Sequence, residues 1–125
     1  MKSLITAFSG FRWKNTKIDV ESGKVAARNK KINCLKYILT QLSKKERTDS
    51  KLLEGAAFSG DLKLIKYLIH TIGSNIDSYK ITEQATSYDN IECLKYLHEN
   101  GCKWDEKTTT NAATMGAIRC LKYAY

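Results

Sequence analysis

The feature that most constrains the fold is a four-residue phrase that recurs four times at intervals of 30, 29 and 27 residues. The four copies are Cys34–Tyr37, Leu64–Tyr67, Cys93–Tyr96 and Cys120–Tyr123. A pair of small residues precedes each phrase by the same distance, at Ala26-Ala27, Ala56-Ala57, Ala85-Thr86 and Ala112-Ala113. Because both features keep register in every copy, the chain is built from internal repeats, and the repeat determines the fold.

Each repeat has the pattern of two short helices joined by a break. The small pair lies on the first helix, where it lets a neighbouring helix approach closely. Gly60 and Gly116 mark the break in two units, and Lys30 and Asp89 stand at the matching positions of the others. A glycine there suits a helix end that needs a left-handed residue. In the third unit Ile91, Leu94 and Leu97 lie on one face of the second helix, and Asp61, Asp89 and Asn90 are typical N-cap residues.

A unit of about 30 residues of this kind cannot bury its own apolar face, so neighbouring units must stack. We therefore predict an all-α fold, a solenoid of about four helix-turn-helix repeats in a single domain of 125 residues, with the last repeat truncated. The expected divisions are a degenerate N-terminal cap at 1–21 and repeats at about 22–51, 52–80, 81–107 and 108–125. The polar run 43–51 is expected to be a mobile loop.

The sequence resembles the ankyrin repeats over most of the chain from about residue 22, strongly over 85–125, well over 52–77 and more weakly over 22–42. The phrase that carries the resemblance is clearest at Leu94–Thr108 and Ala112–Tyr123. The chain is most similar to the divergent ankyrin-like arrays of giant DNA viruses and amoeboid protists. The resemblance implies a stack of helix pairs with a concave face that binds other proteins, and no catalytic residues. Two departures are that Lys103 stands where this subfamily often has proline, and that the usual TPLH phrase is absent.

The same resemblance implies which residues bind the partner, because the family's concave face is made by first helices and turns. Exposed aromatic and methionine side chains on one surface are typical interface anchors. Position by position, the predicted contacts are Arg28, Asn29, Phe58, Ser59, Gln84, Tyr88, Asn111 and Met115, with Trp104 and Asp105 in the last turn. Trp104 is equally explained by packing between adjacent turns.

The net charge of +8 lies entirely in residues 1–50, which hold 12 Lys or Arg and 4 Asp or Glu. This asymmetry is usually a solvated surface, but it also fits a basic protein that associates with nucleic acid. The predicted phosphate or acidic-partner contacts are Lys14, Lys17, Lys24, Lys30 and Lys31. The lysine of each repeated phrase either contacts the phosphates of a nucleic acid or lies on the solvent side of its helix. The tyrosine beside it is expected to pack between units.

Catalysis, a metal and a cofactor are not expected. The four cysteines form no CxxC pair, and we expect Cys34, Cys93 and Cys120 to be small core residues. His70 and His98 have no nucleophile or carboxylate at a suitable spacing. No apolar run reaches the roughly 18 residues of a membrane span, and no signal peptide is recognisable, so no membrane partner is expected. The expected location is intracellular and cytoplasmic, or the virion for a viral protein.

The sequence stops at Tyr125, before the second helix of the fourth unit is expected to finish. Leu121 and Ala124 would then face outward without a stacked neighbour. Three explanations stay open: a fragment of a longer array, a gene truncated in evolution, or an end covered by a partner or by a second copy through end-to-end self-association. The predicted function is a non-catalytic protein-protein interaction module, either an adaptor or an architectural scaffold component of a larger assembly.

Overall fold

The computed structural model describes residues 17–87 and 89–124. Within those ranges the chain is helical and has no strand, which confirms the predicted all-α class. The helices are α1 (Val20–Arg28), α2 (Ile32–Gln41), α3 (Lys44–Arg47), α4 (Ser50–Ser59), α5 (Leu62–Tyr67), α6 (Tyr79–Ala85), α7 (Ile91–Glu99), α8 (Glu106–Thr114) and α9 (Ile118–Ala124). Most of the predicted N-terminal cap, residues 1–16, lies outside the described residues.

The break between the two helices of every unit has the left-handed backbone that the sequence predicted. The φ angles are 59° at Lys30, 74° at Gly60, 55° at Asp89 and 69° at Gly116. Two of these residues carry a side chain, and aspartate is among the side chains that enter this region most readily. The equal geometry at four equivalent positions shows that the four breaks are the same structural element.

The first helices of successive units lie side by side in the order α1, α4, α6 and α8, and α5, α7 and α9 pack in a second layer beside them. The small pairs lie at the contacts of the first layer, where Ala27, Ala57, Ala85 and Ala112 are fully buried. Ala113, in the last unit, is exposed. The predicted role of the small pairs in close helix approach is therefore confirmed wherever a following unit is present.

Gly55 shows how closely α1 and α4 approach. A Cβ atom added to Gly55 would overlap the backbone carbonyl oxygen of Lys24 and would lie 3.3 Å from the Cβ of Ala27. A backbone carbonyl cannot rotate away as a flexible side chain does. Glycine is therefore required at this position by the spacing of the two helices.

The second helix of the second unit ends in a π-helical turn, Leu68–Ile72. The left-handed Gly73 stands six positions after Tyr67, whereas in the third unit the left-handed Gly101 stands five positions after Tyr96. A π turn holds one residue more than an α turn because its hydrogen bonds run from i to i+5. The π turn therefore absorbs a one-residue insertion.

Several sequence expectations need correction. Cys34 is exposed, whereas Cys93 and Cys120 are buried as expected. Cys93 lies near Asp61 of the preceding unit and Cys120 near Asp89 of the preceding unit, whereas among the described residues no preceding unit lies against Cys34. Tyr37 is likewise 60% exposed instead of packed between units.

Two expectations about less regular segments are also wrong. The run 43–51 contains a helix, α3, which begins with a capping box between Ser43 and Glu46. Leu121 is half-buried against the core instead of facing outward, and the strongly exposed apolar side chains of the last unit are Met115 and Ile118.

Candidate interaction surface

At the α1 end of the first-helix layer, two of the predicted contact residues interact with each other. Arg28 is the last residue of α1, and its Cζ atom lies 4.0 Å from the centroid of the Phe58 ring on α4. A guanidinium over an aromatic face is a favourable cation–π contact. Phe58 is half-buried. The structure therefore assigns this pair an inter-unit packing role in addition to any contact with a partner.

Asn29 and Ser59 make local hydrogen bonds at the ends of their helices. The Asn29 Nδ2 group donates to the Val25 carbonyl at 2.9 Å. The Ser59 hydroxyl donates to the Ala56 carbonyl at 2.7 Å and accepts from the Asp61 amide at 3.2 Å. Both side chains thus help to end the first helix.

The predicted contacts in the third and fourth units lie near one another. Gln84 is half-buried on α6, and Met115, at the end of α8, is 49% exposed. The Asn111 side chain reaches across from α8 and donates to the Glu83 carbonyl at 2.7 Å and to the Thr86 hydroxyl. Tyr88 lies outside the described residues.

A polar groove runs over this part of the first-helix layer. One section of about 340 Å³ is lined by Glu83, Glu106, Lys107, Thr110, Asn111 and Thr114. An adjoining section of about 330 Å³ is lined by Asp77, Ser78, Tyr79, Lys80, Glu83, Asp105 and Lys107. Because Glu83 and Lys107 line both sections, the two form one continuous surface, which we call the first-helix groove.

Buried threonines fix the helices that carry this groove. The Thr82 hydroxyl donates to the Tyr79 carbonyl at 2.9 Å or to the Lys103 carbonyl at 3.0 Å, and lies 3.3 Å from the Thr108 hydroxyl. Thr82 and Thr108 are fully buried. A buried polar group with partners orients its neighbours strongly, because losing a partner costs the full desolvation of the group. The spacing of α6 and α8 is set by these bonds.

Trp104 packs between units, and Asp105 has a local role. The indole is half-buried, stacks on the His98 ring at 4.1 Å and meets the Tyr123 ring edge-on at 5.8 Å. The Asp105 carboxylate caps α8 by accepting from the Lys107 amide at 2.9 Å. Asp105 also lines the first-helix groove, so it is the member of this pair that remains available at that surface.

The recurrent lysines and tyrosines of the second helices form a column of contacts between units. The lysines of the first three units each place the Nζ atom over the tyrosine ring of the following unit, at 5.8 Å for Lys36 on Tyr67, 5.3 Å for Lys66 on Tyr96 and 5.6 Å for Lys95 on Tyr123. We call this the lysine–tyrosine column. Sequence inspection found both residues but not their pairing across units, although their fixed spacing was the available signal.

Both histidines join this column. The His70 ring Nε2 lies within hydrogen-bonding distance of the Tyr96 hydroxyl, and the ring meets Tyr96 edge-on with centroids 6.0 Å apart. The His98 ring meets Tyr123 in the same way at 6.0 Å. The π turn makes this equivalence possible, because it places His70 three residues before Gly73, as His98 stands three residues before Gly101.

Among the basic residues predicted for phosphate contacts, Lys24 differs from the other described ones. Lys17, Lys30 and Lys31 are exposed, and Lys14 lies outside the described residues. Lys24 is half-buried, and its Nζ lies 3.8 Å from the carboxylate of the buried Glu54. That lysine compensates a buried charge inside the protein.

Asp89 links the third unit to the fourth, a role that the sequence did not reveal. Its carboxylate accepts from the Cys120 amide and from the Arg119 Nε, each at 2.9 Å, and its carbonyl accepts from Arg119 Nη2 at 3.0 Å. Burial opposes ionisation of this carboxyl, but the hydrogen bonds from Cys120 and Arg119 outweigh it, so the pKa of Asp89 lies below its ordinary value of 3.8. Asp89 therefore caps α9 instead of the helix of its own unit, while Asp61 caps α5 as expected.

Across residues 17–87 and 89–124, no three His, Cys, Asp or Glu side chains are placed to hold a metal ion. Burial raises the pKa of Cys93 and Cys102 to about 11 and that of Cys120 to about 12, which favours the unreactive thiol. In the same ranges, no helix combines the length and apolar character needed to cross a bilayer.

Comparisons of the chain with protein-family models, with curated proteins and with solved structures find no match. The likeness to ankyrin repeats therefore rests on the repeated residues of the chain.

Proposed function

We propose that this chain is a non-catalytic protein-interaction module with an ankyrin-like solenoid architecture. The observation that carries the proposal is the side-by-side stacking of α1, α4, α6 and α8. Repeat units that stack in this way combine side chains from several units into one extended surface, which is how repeat proteins bind their partners. The module acts as an adaptor or as an architectural component of a larger assembly.

The first-helix groove is the proposed contact surface. It presents acidic, basic and hydroxyl groups together on helices held by the buried threonines, and the exposed Met115 lies at the end of the same helix, α8. Protein interfaces combine apolar side chains with a polar rim, and here Met115 supplies the apolar side chain and the groove supplies the polar groups. Because its helices are fixed before binding, little ordering cost opposes association.

A pull-down from native extract with mass spectrometry, followed by titration of the purified partner, tests the proposal. Lys107→Glu reverses a charge that lines both sections of the groove, so we expect the Kd to rise roughly tenfold. Lys45→Glu on α3 makes the same change at an exposed position away from the groove and should leave the Kd unchanged. Equal affinities of wild type and Lys107→Glu would remove the groove as the contact surface.

A basic nucleic-acid-associated protein is the alternative, supported by the exposed Lys17, Lys30 and Lys31. Nuclease treatment of the extract separates the two functions. A partner captured only through DNA or RNA is lost after nuclease, and its binding weakens steeply with salt. A directly bound protein survives both treatments.

A further inference from the structure

A second groove lies in the other layer, between α2 and α5, and differs in character from the first-helix groove. Its volume is about 270 Å³. Apolar side chains of Ile32, Leu64 and Tyr67 line it together with Lys36, Lys63 and Asp61. Leu64 is buried, Ile32 and Tyr67 are half-buried, and both lysines are exposed. The groove therefore has an apolar floor with ammonium groups at its edges.

The charges at this groove are mainly positive, because two lysines and one aspartate line it. Lys36 and Lys63 form no ion pair with another residue of the described ranges. The one acidic group, Asp61, already accepts a hydrogen bond from the Leu64 amide at 3.3 Å as the cap of α5. Lys31 is exposed at the start of α2. An anionic partner is therefore favoured at this surface.

The equivalent positions of later units lack this combination. Glu92 stands where the second unit has Lys63, and in the fourth unit the position is held by Arg119, which is bonded to Asp89. Cys93 and Cys120 replace Leu64 with a smaller side chain. Among the described units, the apolar floor and the unpaired cations thus meet between α2 and α5.

We propose that the groove between α2 and α5 binds an acidic peptide segment of a partner protein, which inserts one apolar side chain between the helices. Carboxylates on either side of that residue pair with Lys36 and Lys63. The proposal rests on the proposed function in that the partner is a protein, but it assigns a separate surface in the second layer and a definite chemistry to the ligand.

A nucleic acid fits the same groove less well. The Lys36 ammonium lies 5.8 Å from the centroid of the Tyr67 ring, on a face where a base would have to stack, so a stacked base would compete with this lysine. A phosphate chain continuing along the second layer would next meet the exposed carboxylate of Glu92. A peptide needs only the local pair of cations and the apolar floor.

The test is an NMR titration of the ¹⁵N-labelled chain with a synthetic Glu-rich peptide that carries one central leucine. We expect saturable shifts concentrated in α2 and α5. Lys63→Glu should weaken binding roughly tenfold, because it turns an attractive edge charge into a repulsive one. Lys44→Glu on the exposed α3 is the matched control and should keep the wild-type affinity. Replacing the peptide leucine by serine should also abolish saturable binding.

Four results would overturn the proposal: no saturable shift at low salt, equal binding of the serine peptide, shifts centred on α8, or tighter binding of a single-stranded oligonucleotide to α2 and α5. Circular dichroism and the unfolding midpoint of Lys63→Glu show whether the variant keeps the fold. A natural partner that remains sensitive to Lys107→Glu while the peptide fails would preserve the proposed function and remove only this groove.

Discussion

At the scale of the residue, Asp89 joins the third unit to the fourth, and no sequence motif indicates this role. Its carboxylate accepts one hydrogen bond from a backbone amide of α9, in the next unit, and another from the guanidinium of Arg119. Aspartate also tolerates the left-handed backbone of the break, where φ is 55°. The residue thus replaces the glycine found at Gly60 and Gly116 and adds an inter-unit bond that glycine lacks.

We expect Asp89→Asn to lower the free energy of unfolding at pH 7 by about 1–2 kcal/mol, the scale of a lost charged cap. Asparagine keeps the shape and the left-handed tolerance but loses the charge. Since the folded pKa of Asp89 is depressed, its contribution is present above the unfolded value near 3.8 and is lost as the pH falls through the folded pKa. Denaturant unfolding at pH 7 and at pH 2–3 should therefore show that the free energies of unfolding of wild type and Asp89→Asn differ less in acid.

The matched control is Asp77→Asn, which breaks the ion pair of Asp77 with Lys103 at 2.7 Å. Both of those side chains are more than half exposed, so the pair contributes little. A loss of stability equal to that of Asp89→Asn would contradict the assigned cap. So would a difference between wild type and Asp89→Asn that does not shrink in acid.

The four thiols make a second prediction at the residue scale. Cys34 is exposed, whereas Cys93, Cys102 and Cys120 are buried and their pKa values are raised to about 11 or 12. Alkylation by iodoacetamide at pH 8, followed by mass spectrometry, should label Cys34 first, because the thiolate is the reactive species. Denaturant should make all four react at similar rates. Rapid native labelling of Cys93 would contradict the described core.

At the scale of the element, helix contacts override helix propensity. Replacing a glycine inside a helix by alanine ordinarily stabilises it by up to about 1 kcal/mol. At Gly55 the new methyl group would strike the Lys24 carbonyl of α1. The intrinsic preference of α4 and its packing on α1 therefore act in opposite directions.

We expect Gly55→Ala to destabilise the protein by about 1–3 kcal/mol, the usual cost of overpacking. Thermal unfolding followed by circular dichroism measures the change. Lys51→Ala, at an exposed position of the same helix, tests the propensity term alone and should be neutral or slightly stabilising. A stabilised Gly55→Ala variant would mean that α1 and α4 lie farther apart than described.

The π turn gives a second prediction at this scale. Deleting Ile69 converts Tyr67-Leu68-Ile69-His70 into the order Tyr, Leu, His found at Tyr96–His98. We expect a cooperatively folded variant with a regular α-helical end, destabilised by about 1–3 kcal/mol because the half-buried Ile69 is lost. Deleting Lys95 from the regular α7 shifts every later contact and should abolish cooperative unfolding. If the Ile69 deletion does the same, the π turn does not mark an insertion.

At the scale of the whole molecule, stability depends on neighbouring units. Each unit contacts the units beside it, as in other repeat arrays, so the opening of one end need not open the rest. The fourth unit has a described neighbour on one side, and its Met115 and Ile118 are about half exposed. The centre of the array, in contrast, contains fully buried leucines and isoleucines.

We therefore expect amide hydrogens of α9 to exchange faster than those of α7, because opening α9 exposes less apolar surface. Hydrogen exchange followed by NMR at neutral pH measures both helices in one sample. Asp89→Asn should accelerate exchange in α9 more than in α5, since the lost cap belongs to α9. Equal protection of α7 and α9 would indicate a single cooperative unit instead of an array.

The repeating unit is specified by local features of the sequence. The small pairs, the breaks at Lys30, Gly60, Asp89 and Gly116, and the apolar face of each second helix follow from local spacing and backbone preference. Such signals are read within about ten residues of chain, so they survive without knowledge of the neighbours. They were enough to predict an all-helical chain with its first helices closely packed.

The contacts between one unit and the next, in contrast, became visible with the tertiary structure. It showed that Asp89 caps α9, that three of the recurrent lysines lie over a tyrosine of the following unit, and that Cys34 is exposed. It also showed that Asn111, predicted as a contact residue, donates a hydrogen bond to α6 and lines the first-helix groove. These contacts join residues about 30 positions apart in the chain. The distances between such residues depend on the spacing of the helices and the reach of the side chains, which a local sequence pattern does not contain.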